Sequence, residues 1–108
     1  MRGSIGAAAL VLLAASLPGG AEARAARCET TDDGAYACDF RATDRAGSFR
    51  VTAPGKPAFI LNVDEPGRGS AFANFGSRNV SLPGTYVRIA ADPACWESDE
   101  THARICVR

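Results

Sequence analysis

"YACDFRATDRAGSFRVTAPGKPAFILNV", residues 36–63, is the stretch whose periodicity decides the fold. In its first part Tyr36, Cys38 and Phe40 alternate with Ala37, Asp39 and Arg41. In its second, Phe49, Val51 and Ala53 alternate with Arg50 and Thr52. Side chains that repeat every two residues share one face of an extended strand, so each part predicts a strand with one side buried. "AFILNV" (58–63) is apolar on both parities, with Phe59, Leu61 and Val63 on one and Ile60 on the other, and predicts a central strand. Ala46-Gly47 and Pro54-Gly55-Lys56-Pro57 punctuate the stretch where turns are needed.

The pattern continues outward. "SAFANF" (70–75), "NVSL" (79–82), "TYVRIA" (85–90) and the segments around Cys95 and Cys106 read as further short strands. They are separated by Glu65-Pro66-Gly67, Gly76-Ser77, Pro83-Gly84 and Asp92-Pro93. No segment after residue 23 offers the 3.6-residue apolar stripe of an amphipathic helix, and no repeat or low-complexity linker interrupts the chain. Short strands this closely spaced predict an all-β domain, a small disulfide-stapled antiparallel β-sandwich or barrel, over residues 24–108.

The four cysteines, Cys28, Cys38, Cys95 and Cys106, predict two disulfides, and register reasoning selects their pairing. Placing Cys95 opposite Cys106 sets Trp96 against Ile105, Glu97 against Arg104 and Ser98 against Ala103. Asp99-Glu100-Thr101-His102 is left as a four-residue turn. An aromatic facing a β-branched residue and a carboxylate facing a guanidinium are favourable cross-strand partners. The same operation on Cys28 and Cys38 sets Thr30 against Tyr36 and leaves Asp32-Asp33-Gly34 as a loop, with Gly34 in its left-handed position. Cys28–Cys38 and Cys95–Cys106 are therefore the expected bonds.

Disulfides call for an oxidising compartment, and the first residues supply the route. Arg2 precedes the apolar run "IGAAALVLLAASL" (5–17), Pro18-Gly19-Gly20 breaks it, and Ala21-Glu22-Ala23 is a small-x-small cleavage site. This is the layout of a signal peptide over residues 1–23, too short to span a bilayer comfortably. Arg27 before Cys28 argues against a lipid anchor. The chain carries 12 basic and 12 acidic residues, a balance that draws it toward neither nucleic acid nor anionic lipid. Eleven of the 12 basic residues are arginine, which with the abundant alanine suggests a GC-rich bacterial genome and a periplasmic or secreted home.

No motif names a reaction. His102, the sole histidine, stands with Asp99 and Glu100 in "CWESDETHARIC" (95–106), but disulfide-bonded cysteines cannot ligate zinc and too few other ligands converge. Ser48, Ser70 and Ser81 lie outside any nucleophile elbow. The doublets Asp32-Asp33 and Asp64-Glu65 point apart as neighbours do, so they read as turn chemistry rather than acid–base pairs. No cofactor is implied. The most distinctive segment is "PGRGSAFANFGSRNV" (66–80), where Phe72 and Phe75 fall on opposite parities, implying a bulge or an exposed ring. Trp96, opposite Ile105, reads first as core. With Arg68, Phe72, Phe75 and Arg78 it completes a candidate recognition patch.

"APGKP" (53–57), "FANFG" (72–76), Leu82-Pro83-Gly84 with Tyr86, and the Cys95-Trp96 to Ile105-Cys106 closing element resemble small exported bacterial proteins of unassigned function. Tyr36-Ala37-Cys38, Phe49-Arg50-Val51 and Cys106 are also faintly similar to periplasmic inhibitors of c-type lysozyme, small disulfide-bonded β-barrels. That resemblance implies a loop able to enter an enzyme cleft, for which Gly69-Ser70-Ala71-Phe72 is the nearest stretch. Two functional classes follow. The first is an exported noncatalytic binding or structural module, with an envelope protein or glycan as partner and the lysozyme inhibitor as a special case. The second is a small hydrolase or metal-dependent enzyme using His102. Mass spectrometry of the exported protein, digested without reduction, is expected to find Arg24 at its N-terminus and the linked pairs Cys28–Cys38 and Cys95–Cys106. Cross-linked peptides joining the first pair to the second would sink the register argument.

Overall fold

The structure, a computed structural model, describes residues 22–108. The signal-peptide reading of residues 1–23 thus falls almost entirely outside the described residues. The first strand, β1, runs Arg24–Thr30, followed by β2 (Gly34–Ala42), β3 (Phe49–Thr52), β4 (Ala58–Glu65) and β5 (Arg68–Asn74). Then come β6 (Asn79–Ser81), β7 (Tyr86–Arg88), β8 (Cys95–Ser98) and β9 (Arg104–Val107). Every pairing is antiparallel, and consecutive strands pair as hairpins through β5.

The sheet closes on itself. β9 returns to pair with β1, and β5 joins β4 on one edge to β6 and β7 on the other. β6 and β7 share that second edge end to end, β6 along Phe72–Asn74 and β7 along Arg68–Gly69, so together they make one interrupted strand. The result is a closed eight-stranded antiparallel barrel, the barrel alternative among the expected all-β architectures. Closure leaves no open edge around the ring, and eight strands give an interior that side chains can fill.

Alternation sorts the wall. Inward go Cys28, Cys38, Phe49, Val51, Leu61, Ala71, Tyr86, Trp96 and Ile105, which form the buried core. Outward go Glu29, Asp39, Arg41, Arg50, Asn62, Glu97 and Arg104, the charged half of each alternating pattern. "AFILNV" is apolar on both parities because Ile60 is also covered, on the outer face between Arg50 of β3 and Phe72 of β5. Each large apolar side chain so buried contributes about 1.5–3 kcal/mol.

Both disulfides have the expected partners, and their registers differ. In the β8–β9 hairpin Cys95 faces Cys106, Trp96 faces Ile105 and Glu97 faces Arg104, as the spacing predicts. The first hairpin requires a correction. Thr30 pairs with Gly34 rather than Tyr36, Cys28 pairs with Tyr36, and Ala26 pairs with Cys38. The Cys28–Cys38 bond therefore runs diagonally, two positions off the direct pair, across a Cα separation of 5.9 Å. Diagonal neighbours on one face lie within disulfide reach, so bonded cysteines need not be directly opposed. The three-residue loop shifts by one position to residues 31–33, with the Asp33 amide donating to Thr30 Oγ1 at 3.2 Å. Gly34 takes φ 67°, the left-handed conformation expected of it. Cys28–Cys38 lies in the core, whereas Cys95 and Cys106 sit on the outer parity, beside Arg108 and Asp92, whose side chains join each other through hydrogen bonds of 3.0 and 2.8 Å.

One buried hydroxyl ties the interrupted strand to the β8–β9 turn. Ser98 is 0% exposed, and its Oγ donates to the Pro83 carbonyl at 2.8 Å while accepting the amides of Glu100 and Thr101 at 3.1 Å each. Gly84 passes so close that a Cβ there would strike Ser98 Oγ, and its φ of 88° suits glycine alone. Ser98→Ala orphans the Pro83 carbonyl and both amides at once, for an expected loss of about 2 kcal/mol in chemical denaturation. A loss under about 0.5 kcal/mol, the range of ordinary surface changes, would show that the hydroxyl does not hold the turn.

Candidate functional site

Successive hairpins put the loops at residues 31–33, 53–57, 75–78 and 99–103 at one end of the barrel, and those at 43–48, 66–67 and 89–94 at the other. At the first end the interior is open. A hollow of about 480 Å³ is walled by Phe59, Ala73, Leu82, Tyr86 and Ile105 and rimmed by Asp32, Asp33, Pro57, Phe75, Pro83 and Thr101. Part of the space follows from the sequence of β5, whose inward residue at this end is Ala73 and contributes almost no bulk to that wall. Trp96, Phe49 and the Cys28–Cys38 bond belong to the packed core, and none of them lines the hollow.

The electrostatics of this mouth are uneven. Asp33 is 3.6 Å from the Lys56 ammonium, which also sits over the Tyr36 ring at 5.1 Å. Burial, and after it the Asp33 charge, pushes the Tyr36 phenol up. Asp32 forms no ion pair among the described residues. Tyr86 is 2% exposed, yet among the described residues nothing hydrogen-bonds its hydroxyl. Its phenol is raised by burial and then by the charge of Asp32, so the carboxylate and the hydroxyl feel one another across the hollow. A buried phenol normally finds a partner. A shallower and more polar depression lies on the outside of the wall, where Arg50, Lys56 and Asn74 meet the far side of Phe75.

The candidate recognition patch does not assemble. Phe75 stands just beyond β5 and is 73% exposed, which settles the parity conflict with Phe72 in favour of an exposed ring. Arg78 shares its loop. Phe72 instead faces outward in mid-strand, half-buried opposite Ile60. Arg68 opens β5 at the other barrel end, about 20 Å of extended chain away, and pairs with Glu65 at 3.4 Å. Trp96 is 4% exposed in the core, with the Arg88 guanidinium 5.4 Å from its ring centroid. The patch reading fails because strand length separates its ends and strand parity separates its faces.

His102 occupies the turn assigned to it, with a side chain 77% exposed and φ 64°, an uncommon backbone conformation for a residue with a Cβ. Its Nδ1 lies 3.1 Å from Glu97 Oε2, while Arg104 Nε donates to Glu97 Oε1 at 2.8 Å. These two hydrogen bonds, His102 first, hold the Glu97 carboxyl below the usual glutamate range. Ser48 accepts the Val63 amide at the opposite barrel end, and Ser70 donates to Asp64. Among the described residues no group of three or more His, Cys, Asp or Glu side chains could hold a metal ion. No helix among them is long and apolar enough to cross a membrane. Gly69-Ser70-Ala71-Phe72, the nearest stretch to an inhibitor's cleft-entering loop, lies wholly inside β5, paired with β4 throughout and with β7 at Gly69 and β6 at Phe72 on the other edge.

Sequence reasoning placed Asp32 in a turn and never linked it to Tyr86, because the two meet only through barrel closure. The one available signal was Tyr86 itself, a large polar-tipped residue on the buried parity of "TYVRIA". No family model, no curated protein and no solved structure matches the chain.

Since no group among the described residues satisfies the Tyr86 hydroxyl, Tyr86→Phe is expected to leave thermal stability unchanged or to raise it by about 1 kcal/mol. A clear loss of stability would mean that the hydroxyl has a structural partner after all.

Proposed function

We propose that the chain is an exported, noncatalytic binding module of the bacterial envelope that receives its ligand at the open barrel end beside Phe75. The observation that carries this reading is the hollow itself. Its apolar walls include a buried phenol without a hydrogen-bond partner among the described residues, and a large aromatic ring is held in solvent at its rim. Exposing a phenylalanine forgoes about 2 kcal/mol of burial, a cost that contact with a bound partner recovers. An apolar concavity of a few hundred cubic ångströms with a few polar groups is the usual form of a ligand site.

The noncatalytic part of the reading rests on the chemistry of the mouth. Its ionisable groups are Asp32, Asp33, Arg104 and the Tyr86 phenol, and among the described residues no side-chain hydrogen bond joins any of them to a serine, threonine or cysteine side chain. The Glu97–His102 contact lies on the outer parity of the β8–β9 hairpin, and its histidine is spread into solvent. Export is supported by the leader-like opening of the sequence and by the two disulfides, which persist in oxidising compartments.

The test is amide NMR of the isotope-labelled protein titrated with 2-naphthylmethanol, a neutral aromatic probe of suitable size. Shifts are expected to concentrate at Phe59, Leu82, Tyr86 and Ile105, and Phe75→Ala is expected to weaken binding about threefold to tenfold. Shifts scattered over the barrel wall, or confined to the outer depression at Arg50, would overturn the assignment of the mouth.

A further inference from the structure

We infer that the mouth selects a small organic cation, an ammonium or guanidinium group carried on an apolar aromatic or alkyl body. This inference rests on the reading of the mouth as a ligand site and adds the chemistry of its occupant.

Three features of the hollow converge on that chemistry. The first is charge. Of the carboxylates at the rim, Asp33 is occupied by Lys56, whereas Asp32 has no cationic partner among the described residues. Arg104 also borders the hollow, but its Nε is held by Glu97 at 2.8 Å, so its charge is answered on the outer face. The loops at this end carry Asp32, Asp33, Asp99 and Glu100 against Lys56 and Arg78, so the formal charge at the opening is negative, and the Asp32 charge reaches Tyr86. A negative rim over low-dielectric walls concentrates cations and repels anions.

The second feature is the wall. Phe59, Leu82 and Ile105 offer nothing to a wholly hydrated ion, so the occupant must bring apolar surface of its own. Aromatic faces at Phe59, Tyr86 and Phe75 suit an attached cation twice over, by burial and by attraction of positive charge to the ring. The third is Tyr86, which is buried, borders the space and has a hydroxyl without a partner among the described residues. It can accept a hydrogen bond from an N–H of the cation while Asp32 supplies the counter-charge. A free molecule rather than a protein segment is the occupant that a cleft of about 480 Å³ accommodates whole.

The experiment compares three isosteric probes, 2-naphthylmethylammonium, 2-naphthylmethanol and 2-naphthoate, by amide NMR titration at low ionic strength. The ammonium is expected to bind about tenfold more tightly than the alcohol, and the carboxylate more weakly than either. Asp32→Asn, a change in an exposed loop, is expected to cost the ammonium about threefold to tenfold and the alcohol nothing. Lys56→Gln releases the Asp33 carboxylate and is expected to tighten ammonium binding. Tyr86→Phe is expected to weaken the ammonium more than the alcohol. If all three probes move the mouth amides with equal affinity, and neither Asp32→Asn nor Lys56→Gln changes the ranking, the mouth remains a binding site and the cation inference is wrong. If none of the probes moves those amides, the site and the inference fall together. Ammonium binding that shifts amides only around the outer depression at Arg50 and Asn74 would also overturn the inference.

Discussion

Strand β5 must satisfy two edges, and the barrel depends on its doing so. β4 takes the whole of one edge, while the other is divided between β6 near Asn74 and β7 near Gly69. Two short strands can serve as one only if the gap between them is fixed, which is what Ser98 does by holding Pro83 and the β8–β9 turn in one hydrogen-bonded knot. An unpaired edge would otherwise face solvent. The small inward residue at the far end of β5 has a second effect, since the lack of bulk at Ala73 helps leave the barrel hollow toward that end. One strand thus contributes both to closure and to the cavity.

Much of this architecture was legible from period-two alternation, because each strand's inward parity is written in its own residues. Tyr36-Cys38-Phe40 and Phe49-Val51 behave as their pattern requires, and the second hairpin follows its cysteine register pair by pair. The first hairpin shows the limit of that logic. Equal spacing of cysteines suggests direct opposition, but a disulfide can also run on the diagonal, and then only the backbone ladder reveals the register. β1 upstream of Cys28 was likewise invisible, since Arg24-Ala25-Ala26-Arg27 has too little apolar contrast to announce a strand. It is extended because β2 pairs with it throughout and the Arg27 backbone also bonds that of Arg108.

The functional surface was harder to read, for a reason that lies in topology. Phe72 and Phe75, three residues apart, end on different parts of the surface, whereas Asp32 and Tyr86, more than fifty residues apart, share one hollow. Grouping residues by nearness in sequence therefore assembled a patch from Arg68, Phe72, Phe75, Arg78 and Trp96 that the barrel disperses. Only Phe75 and Arg78 keep each other's company. The mouth is built from the ends of many strands, so its composition emerges only after the sheet has closed.

That closure joins the first strand to the last. The backbones of Arg27 and Arg108 exchange hydrogen bonds of 2.9 and 2.8 Å, and Glu29 pairs with Cys106. A chain made from its N-terminus onward therefore holds β1 with one flank vacant throughout the synthesis of everything between. No shorter nascent length can complete the ring. Folding to the closed ring waits on the arrival of β9. Until then the emerging sheet is open at the flank where another unfinished copy could attach, and the interval between synthesis and sealing is when the protein is most exposed to aggregation and proteolysis.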